Sequence, residues 1–180
     1  MKKDLKIIPE CYVDTNLVET LLALSGCPLC VNHQKGCNTV ANVMQKLHGD
    51  FALGMIDNDK QKHSYTNEFC EIARTEHLSL RKHSDRNHYL IVVEPKAVDL
   101  FILDVAKRQN VNMADFGFSA NLDSFTKETK QVSSKEDDRF KLLFKALQQD
   151  EEFQKLKTLL QYFHNNSYCI DKKIIMQICK

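Results

Sequence analysis

DFALGMIDND, residues 50–59, is the stretch on which the fold turns. Residues 51–56 are a continuous apolar run of strand length, without alternation. Such a run predicts a central parallel strand buried on both faces. It stops abruptly at Asp57, Asn58 and Asp59. Two other runs have the same character. Residues 5–8 (LKII) are stopped by Pro9, and residues 88–93 (HYLIVV) run into Glu94 and Pro95. The three are expected to lie side by side as parallel strands. Residues 77–82 (HLSLRK) alternate weakly, as an exposed strand does.

Helical patterns separate these runs. Residues 14–24 place Leu17, Leu21 and Leu24 on one face, with Asp14 or Thr15 as the cap and Gly26 as the stop. Residues 38–48 do the same through Val40, Val43, Met44 and Leu47, closed by Gly49. A short helix is expected near residues 65–74, and another over 97–108 with Asn110 at its end. Residues 111–133 carry no clear pattern. Ser133 or Ser134 opens a helix through Phe140, Leu143, Phe144 and Leu147, and a last one carries Phe153, Leu156, Leu160 and Phe163. Strands alternating with helices predict an α/β fold with a doubly wound, mainly parallel sheet. Residues 1–130 form this α/β part, and residues 131–180 form a helical C-terminal extension packed on it.

The chain has 180 residues, 43% hydrophobic and 27% charged, which suits a globular fold. Its net charge is +1, so nothing steers it globally toward nucleic acid or membrane. Anion binding must come from local clusters. Charged residues interrupt the N-terminal region before any long apolar run, so no signal peptide and no membrane span are expected. A cytoplasmic location follows as an expectation. The seven cysteines are then expected to be mostly reduced.

Ligands of doubly wound sheets bind at the carboxyl ends of the strands. Glu10 follows the first strand, and Asp57 and Asp59 follow the third element. Asp57 and Asp59 are two apart, so in extended chain they point the same way. Three converging carboxylates repel one another, and a hard cation such as Mg²⁺ or Mn²⁺ relieves the repulsion while keeping waters for phosphate oxygens. A polar turn is the plainer alternative, because Asp and Asn favour turns. Both stand at this point. Lys60 and Lys62 beside Asp59, Lys96 after another strand end, and Lys35 before the second helix are candidate phosphate contacts. A second basic group, residues 81–88, is by default a solvated surface. Cys27, Cys30, His33 and Cys37 are too closely spaced for a tight tetrahedral zinc site, so no zinc is expected. No Ser/His/Asp arrangement and no Gly-x-Gly-x-x-Gly fingerprint can be read.

Strand–Glu10–helix, second helix, strand–Asp57-x-Asp59 resembles a topoisomerase–primase (TOPRIM) domain over roughly residues 5–110. Glu10-Cys11-Tyr12-Val13-Asp14 is similar to the Glu-Gly-x-x-Asp opening of small stand-alone TOPRIM-like proteins and of the overcoming-lysogenization-defect nucleases. The resemblance implies a TOPRIM/Rossmann-like frame and an Mg²⁺-dependent, nuclease-like activity on phosphodiesters. Glu10 would transfer the proton, and Asp57 and Asp59 would hold the metal. It also implies nucleic acid as a partner and an ATPase subunit in a defence or repair system. One departure stands out: the family's glycine after the glutamate is Cys11 here. The alternative is therefore a catalytically inactive binding or regulatory module on the same fold.

Overall fold

The computed structural model describes residues 6–27, 31–58 and 63–180. Among the described residues, five strands form one sheet: β1 (Ile7–Pro9), β2 (Ala52–Asp57), β3 (Phe69–Arg74), β4 (Leu78–His83) and β5 (His88–Val93). Seven α-helices among the same residues accompany them: α1 (Tyr12–Leu24), α2 (Cys37–Lys46), α3 (Val98–Arg108), α4 (Leu122–Thr129), α5 (Asp138–Leu147), α6 (Glu151–Asn166) and α7 (Lys172–Ile178).

The strand order is β1-β2-β5-β4-β3. β1, β2 and β5 are parallel neighbours, with Ile8 opposite Gly54 and Gly54 opposite Leu90. This is the arrangement expected of the three apolar runs. β4 is antiparallel to β5, and β3 is antiparallel to β4. The sheet is therefore mixed. The link from β1 to β2 carries α1 and α2, whereas the link from β2 to β5 is the β3–β4 hairpin.

The helix expected near residues 65–74 is corrected here. A single 3₁₀ turn, Ser64–Glu68, leads into β3. A bulge between Glu71 and Ala73 breaks the two-residue alternation of β3. It leaves Phe69 and Ile72 three apart, a spacing that imitates a helix.

Alternate residues of the parallel strands serve two cores. Ile7, Leu53, Met55, Ile91 and Val93 face the side of α1, α3, α5 and α6. Ile8, Ala52, Ile56, Leu90 and Val92 face α2 and Tyr65. Full burial of each such side chain stabilises by about 1.5–3 kcal/mol. Gly54 sets how close α2 lies: a β-carbon there would stand 2.6 Å from Leu90 Cδ2 and 2.8 Å from Met44 Sδ.

α1 begins earlier than its sequence suggests. Cys11 is the N-cap, and Asp14 sits inside the first turn. Asp14 Oδ2 accepts a bond from the Cys11 backbone N–H at 3.2 Å, which fixes this start. α1 is buried on most sides. Its Asn16 amide donates to the Ser134 carbonyl at 2.8 Å and to the Asp137 carbonyl at 3.1 Å. Ser134 lies in a short 3₁₀ segment, Val132–Lys135, and α5 starts only after Asp137, its N-cap. Phe140, Phe144, Phe153 and Phe163 all face inward and are fully buried. No helix among the described residues is long and apolar enough to cross a membrane.

Candidate functional site

The parallel pairing of β1 and β2 puts their carboxyl ends side by side, so Glu10 comes to lie beside Asp57. The Asp57 backbone N–H donates to Glu10 Oε2 at 2.9 Å. Asp57 Oδ1 accepts from the Val98 N–H at 3.0 Å. Val98 opens α3, so the carboxylate satisfies a helix-start donor and faces the positive end of the helix. The Asn58 N–H donates to the Val93 carbonyl at 3.1 Å and the Lys96 carbonyl at 2.9 Å, which draws the loop after β5 against the exit of β2.

Two further acids join this edge. Asp14 is fully buried, and its Oδ1 has no hydrogen-bond partner. Asp99, in the first turn of α3, is buried and accepts a bond from the Thr126 hydroxyl at 2.9 Å. Burial pushes the Asp57 carboxyl up to about 9, and the charges of Asp14, Glu10 and Asp99 push the same way against the Val98 N–H. Burial likewise pushes Asp14 up to about 7, helped by Glu10 and Asp99 and opposed by the Cys11 contact. The two titrate as a coupled set. Burial, and next the Asp14 charge, raise the Cys11 thiol well beyond the ordinary thiol range, so Cys11 is no thiolate nucleophile.

Three of these acids line an open cleft of about 890 Å³. They are Glu10, Asp57 and Asp99, and Asp123, Lys96, Lys127 and Lys130 line it too. The structure thus brings together Glu10, Asp57 and Lys96 of the expected residues. Asp59, Lys60 and Lys62 lie outside the described residues. Lys35 does not line the cleft but adjoins it: the N–H of its neighbour Gly36 donates to the Glu10 carbonyl at 3.0 Å. Asp99, Lys127 and Lys130 carry no signal in the sequence, and Asp14 is marked there only as a cap and as the last residue of the Glu10–Asp14 opening. An acid in a first helical turn reads as a cap, and only the fold shows both aspartates reaching one edge.

Among the described residues, no group of three or more His, Cys, Asp or Glu side chains is arranged to hold a metal ion. The donor chemistry still suits a hard cation, because every acid here offers oxygen and Asp14 Oδ1 lacks a partner. Of the cysteine-rich loop, Cys30 lies outside the described residues. His33 stacks on Tyr12 at 4.7 Å, and its Nδ1 meets the Thr15 hydroxyl at 2.7 Å.

The basic group of residues 81–88 is largely engaged within the protein. Arg81 meets Glu94, and Arg86 donates to the Gln45 carbonyl and covers the Tyr65 ring. His83 and His88 are buried. Burial, followed by the charges of Arg86 and His83, pushes the His88 imidazole down to about 4. Comparison with protein-family models, with curated proteins and with solved structures returned no match for this chain.

Proposed function

We propose that the acidic edge is a TOPRIM-type phosphodiester site dependent on Mg²⁺ or Mn²⁺, with nuclease-like activity, on a frame of doubly wound TOPRIM/Rossmann kind. The observation that carries this is the meeting of Glu10 and Asp57 at the ends of adjacent parallel strands, where neighbouring acids raise the proton affinity of Asp57. Asp57, with Asp59 beyond it, is assigned to the metal, and Glu10 to proton transfer at the attacking or leaving oxygen. A bound divalent cation supplies positive charge at the phosphate and relieves the crowding of the carboxylates. The Val98 N–H orients Asp57, and the Asp57 N–H orients Glu10. Lys96 offsets phosphate charge at the rim. Lys35, Lys60 and Lys62 are assigned to the nucleic-acid backbone around it. The same proposal puts the protein in the cytoplasm, with an ATPase subunit of a defence or repair system as its partner.

A second function is favoured by a specific observation. One oxygen each of Glu10 and Asp57 is engaged by backbone N–H groups, and Cys11 stands where the family has glycine. Both features suit an inactive binding or regulatory module. Thermal melts with and without Mg²⁺ or Mn²⁺, run beside cleavage assays on DNA and RNA, separate the two. The enzyme predicts a metal-dependent rise in Tm and cleavage that Glu10→Gln removes while the metal effect persists. Absence of both cleavage and a Tm rise in the wild type leaves the binding module.

A further inference from the structure

The cleft at the acidic edge is lined by lysines as well as by carboxylates, Asp123 of α4 among the latter. Lys127 in α4 and Lys130 just after it line the cleft together with Lys96, facing space shared with Glu10, Asp57 and Asp99. Residues three apart lie on one side of a helix, so Lys127 and Lys130 form a short row. None of the three lysines makes an ion pair with a described residue, whereas Lys141 pairs with Asp138 and Lys155 with Glu151. Asp123 has the four-residue spacing for a pair with Lys127 and does not make one.

α4 is held firmly against the acids. Asn121 caps it by accepting from the Ser124 N–H at 3.1 Å. Phe125 is fully buried and meets Phe118 edge-on at 5.5 Å. The Thr126 hydroxyl donates directly to Asp99 at 2.9 Å. The basic row is therefore fixed relative to the acidic side by one hydrogen bond and one aromatic anchor. An acidic cleft alone would repel phosphate, and a basic one would not call for a cation. The combination fits a phosphate-bearing ligand, whose charge the three lysines meet.

We infer that the cleft receives a single-stranded phosphodiester chain whose backbone lies along Lys96, Lys127 and Lys130, an assignment that rests on the function proposed above. A cleft of about 890 Å³ is in the size range of small-ligand sites, which suits a short stretch of single strand. No aromatic side chain lines it among the described residues, so bases have no stacking platform. Binding is then carried by phosphate charge, with strong salt dependence and little sequence preference.

The test is fluorescence anisotropy of a labelled single-stranded oligonucleotide with the full chain in EDTA, across a salt series. Lys127→Gln/Lys130→Gln should weaken binding at least about tenfold at low salt. The slope of log affinity against log salt should fall by about 1.4, since each phosphate contact to a single strand contributes about 0.7. Lys145→Gln/Lys172→Gln, which removes equal charge elsewhere, should bind like wild type. Circular dichroism melts check that the variants fold. An unchanged slope in the Lys127/Lys130 variant, tighter binding of duplex than of single strand, or no oligonucleotide binding by wild type would overturn the inference. Cleavage with Mg²⁺ is scored separately. Lysine-dependent binding without cleavage sinks the catalytic proposal and keeps this one, and cleavage without lysine dependence does the reverse.

Discussion

At the β3–β4 end of the sheet, Glu71 and Glu94 meet arginines. Arg74 holds Glu71 at 2.6 Å and also reaches Glu94, while Arg81 lies 3.5 Å from Glu94. The Arg74 bond, with the Ser79 hydroxyl, pulls the Glu71 carboxyl below its usual range. At the β1–β2 end of the same edge, the strongest charges acting on Asp57 are Asp14, Glu10 and Asp99, all of its own sign. The first group is ordinary surface electrostatics, worth about 0–1 kcal/mol per pair. The second is buried like charge, an arrangement that costs stability and that stability alone would not build. The difference is between acids paired with cations and acids crowded among their own kind, the arrangement that functional sites favour.

The sharpest way to break this contrast is Asp57→Asn. The change keeps shape and removes charge. If the second group serves catalysis, cleavage should fall by at least about 10²-fold, in line with the loss of a charge-stabilising group, and the Mg²⁺-dependent rise in Tm should vanish. Retained cleavage would erase the distinction between the two groups.

The pH response should come next in size, with opposite sign at the two ends. Asp14 and Asp57 bind protons more tightly in the folded state than in the unfolded chain. Their contribution is complete below about pH 4, the unfolded carboxylate range, and is lost as pH rises through about 7 for Asp14 and about 9 for Asp57. Glu71 is lowered, so its contribution is present above its unfolded value and is lost as pH falls through the lower folded one. In EDTA, Tm should therefore decline from pH 5 to pH 9 by several degrees, and Asp57→Asn should flatten the decline. A melt series showing a flat wild-type profile over that range would refute the crowding.

Asp14→Asn isolates one member. The amide oxygen can still accept from the Cys11 N–H, while the buried charge is gone. At pH 8 in EDTA the variant should melt about 2–4 °C higher, the shift that about 1 kcal/mol gives a chain of this size. A lower Tm by calorimetry would show that the Asp14 charge stabilises the fold. Arg74→Met should have the smallest effect: the side chain is 49% exposed, so the loss should stay within about 1 kcal/mol of stability by urea titration. A larger loss would make the arginine cluster more than surface decoration.

How much of this was legible follows from burial. β1, β2 and β5 are covered on both faces, so their sequences are continuous apolar runs and their parallel pairing could be read directly. β3 could not, because its bulge hides the alternation. α4 could not either, since among its eight residues Phe125 is the only buried apolar one. Glu10 and Asp57 were readable from their places at strand ends. Asp99 was not, and Asp14 was readable only as a cap and as the end of the Glu10–Asp14 opening, because each belongs to a different helix start. Lys127 and Lys130 mean something only once α4 is set beside Asp99.

The covering of α1 has a consequence in time. Asn16 finds its backbone partners 118 and 121 positions further along the chain. Contacts of such long range make the topology one of high contact order, which folds slowly because large loops must close before they are rewarded. On the ribosome, β1 and the start of α1 emerge more than a hundred residues ahead of the segments that roof α1. A nascent chain therefore cannot complete the packing around α1, which carries Asp14, until α5 and α6 have been made. Mutations that loosen those helices, far from any acid, should delay the appearance of the site during refolding.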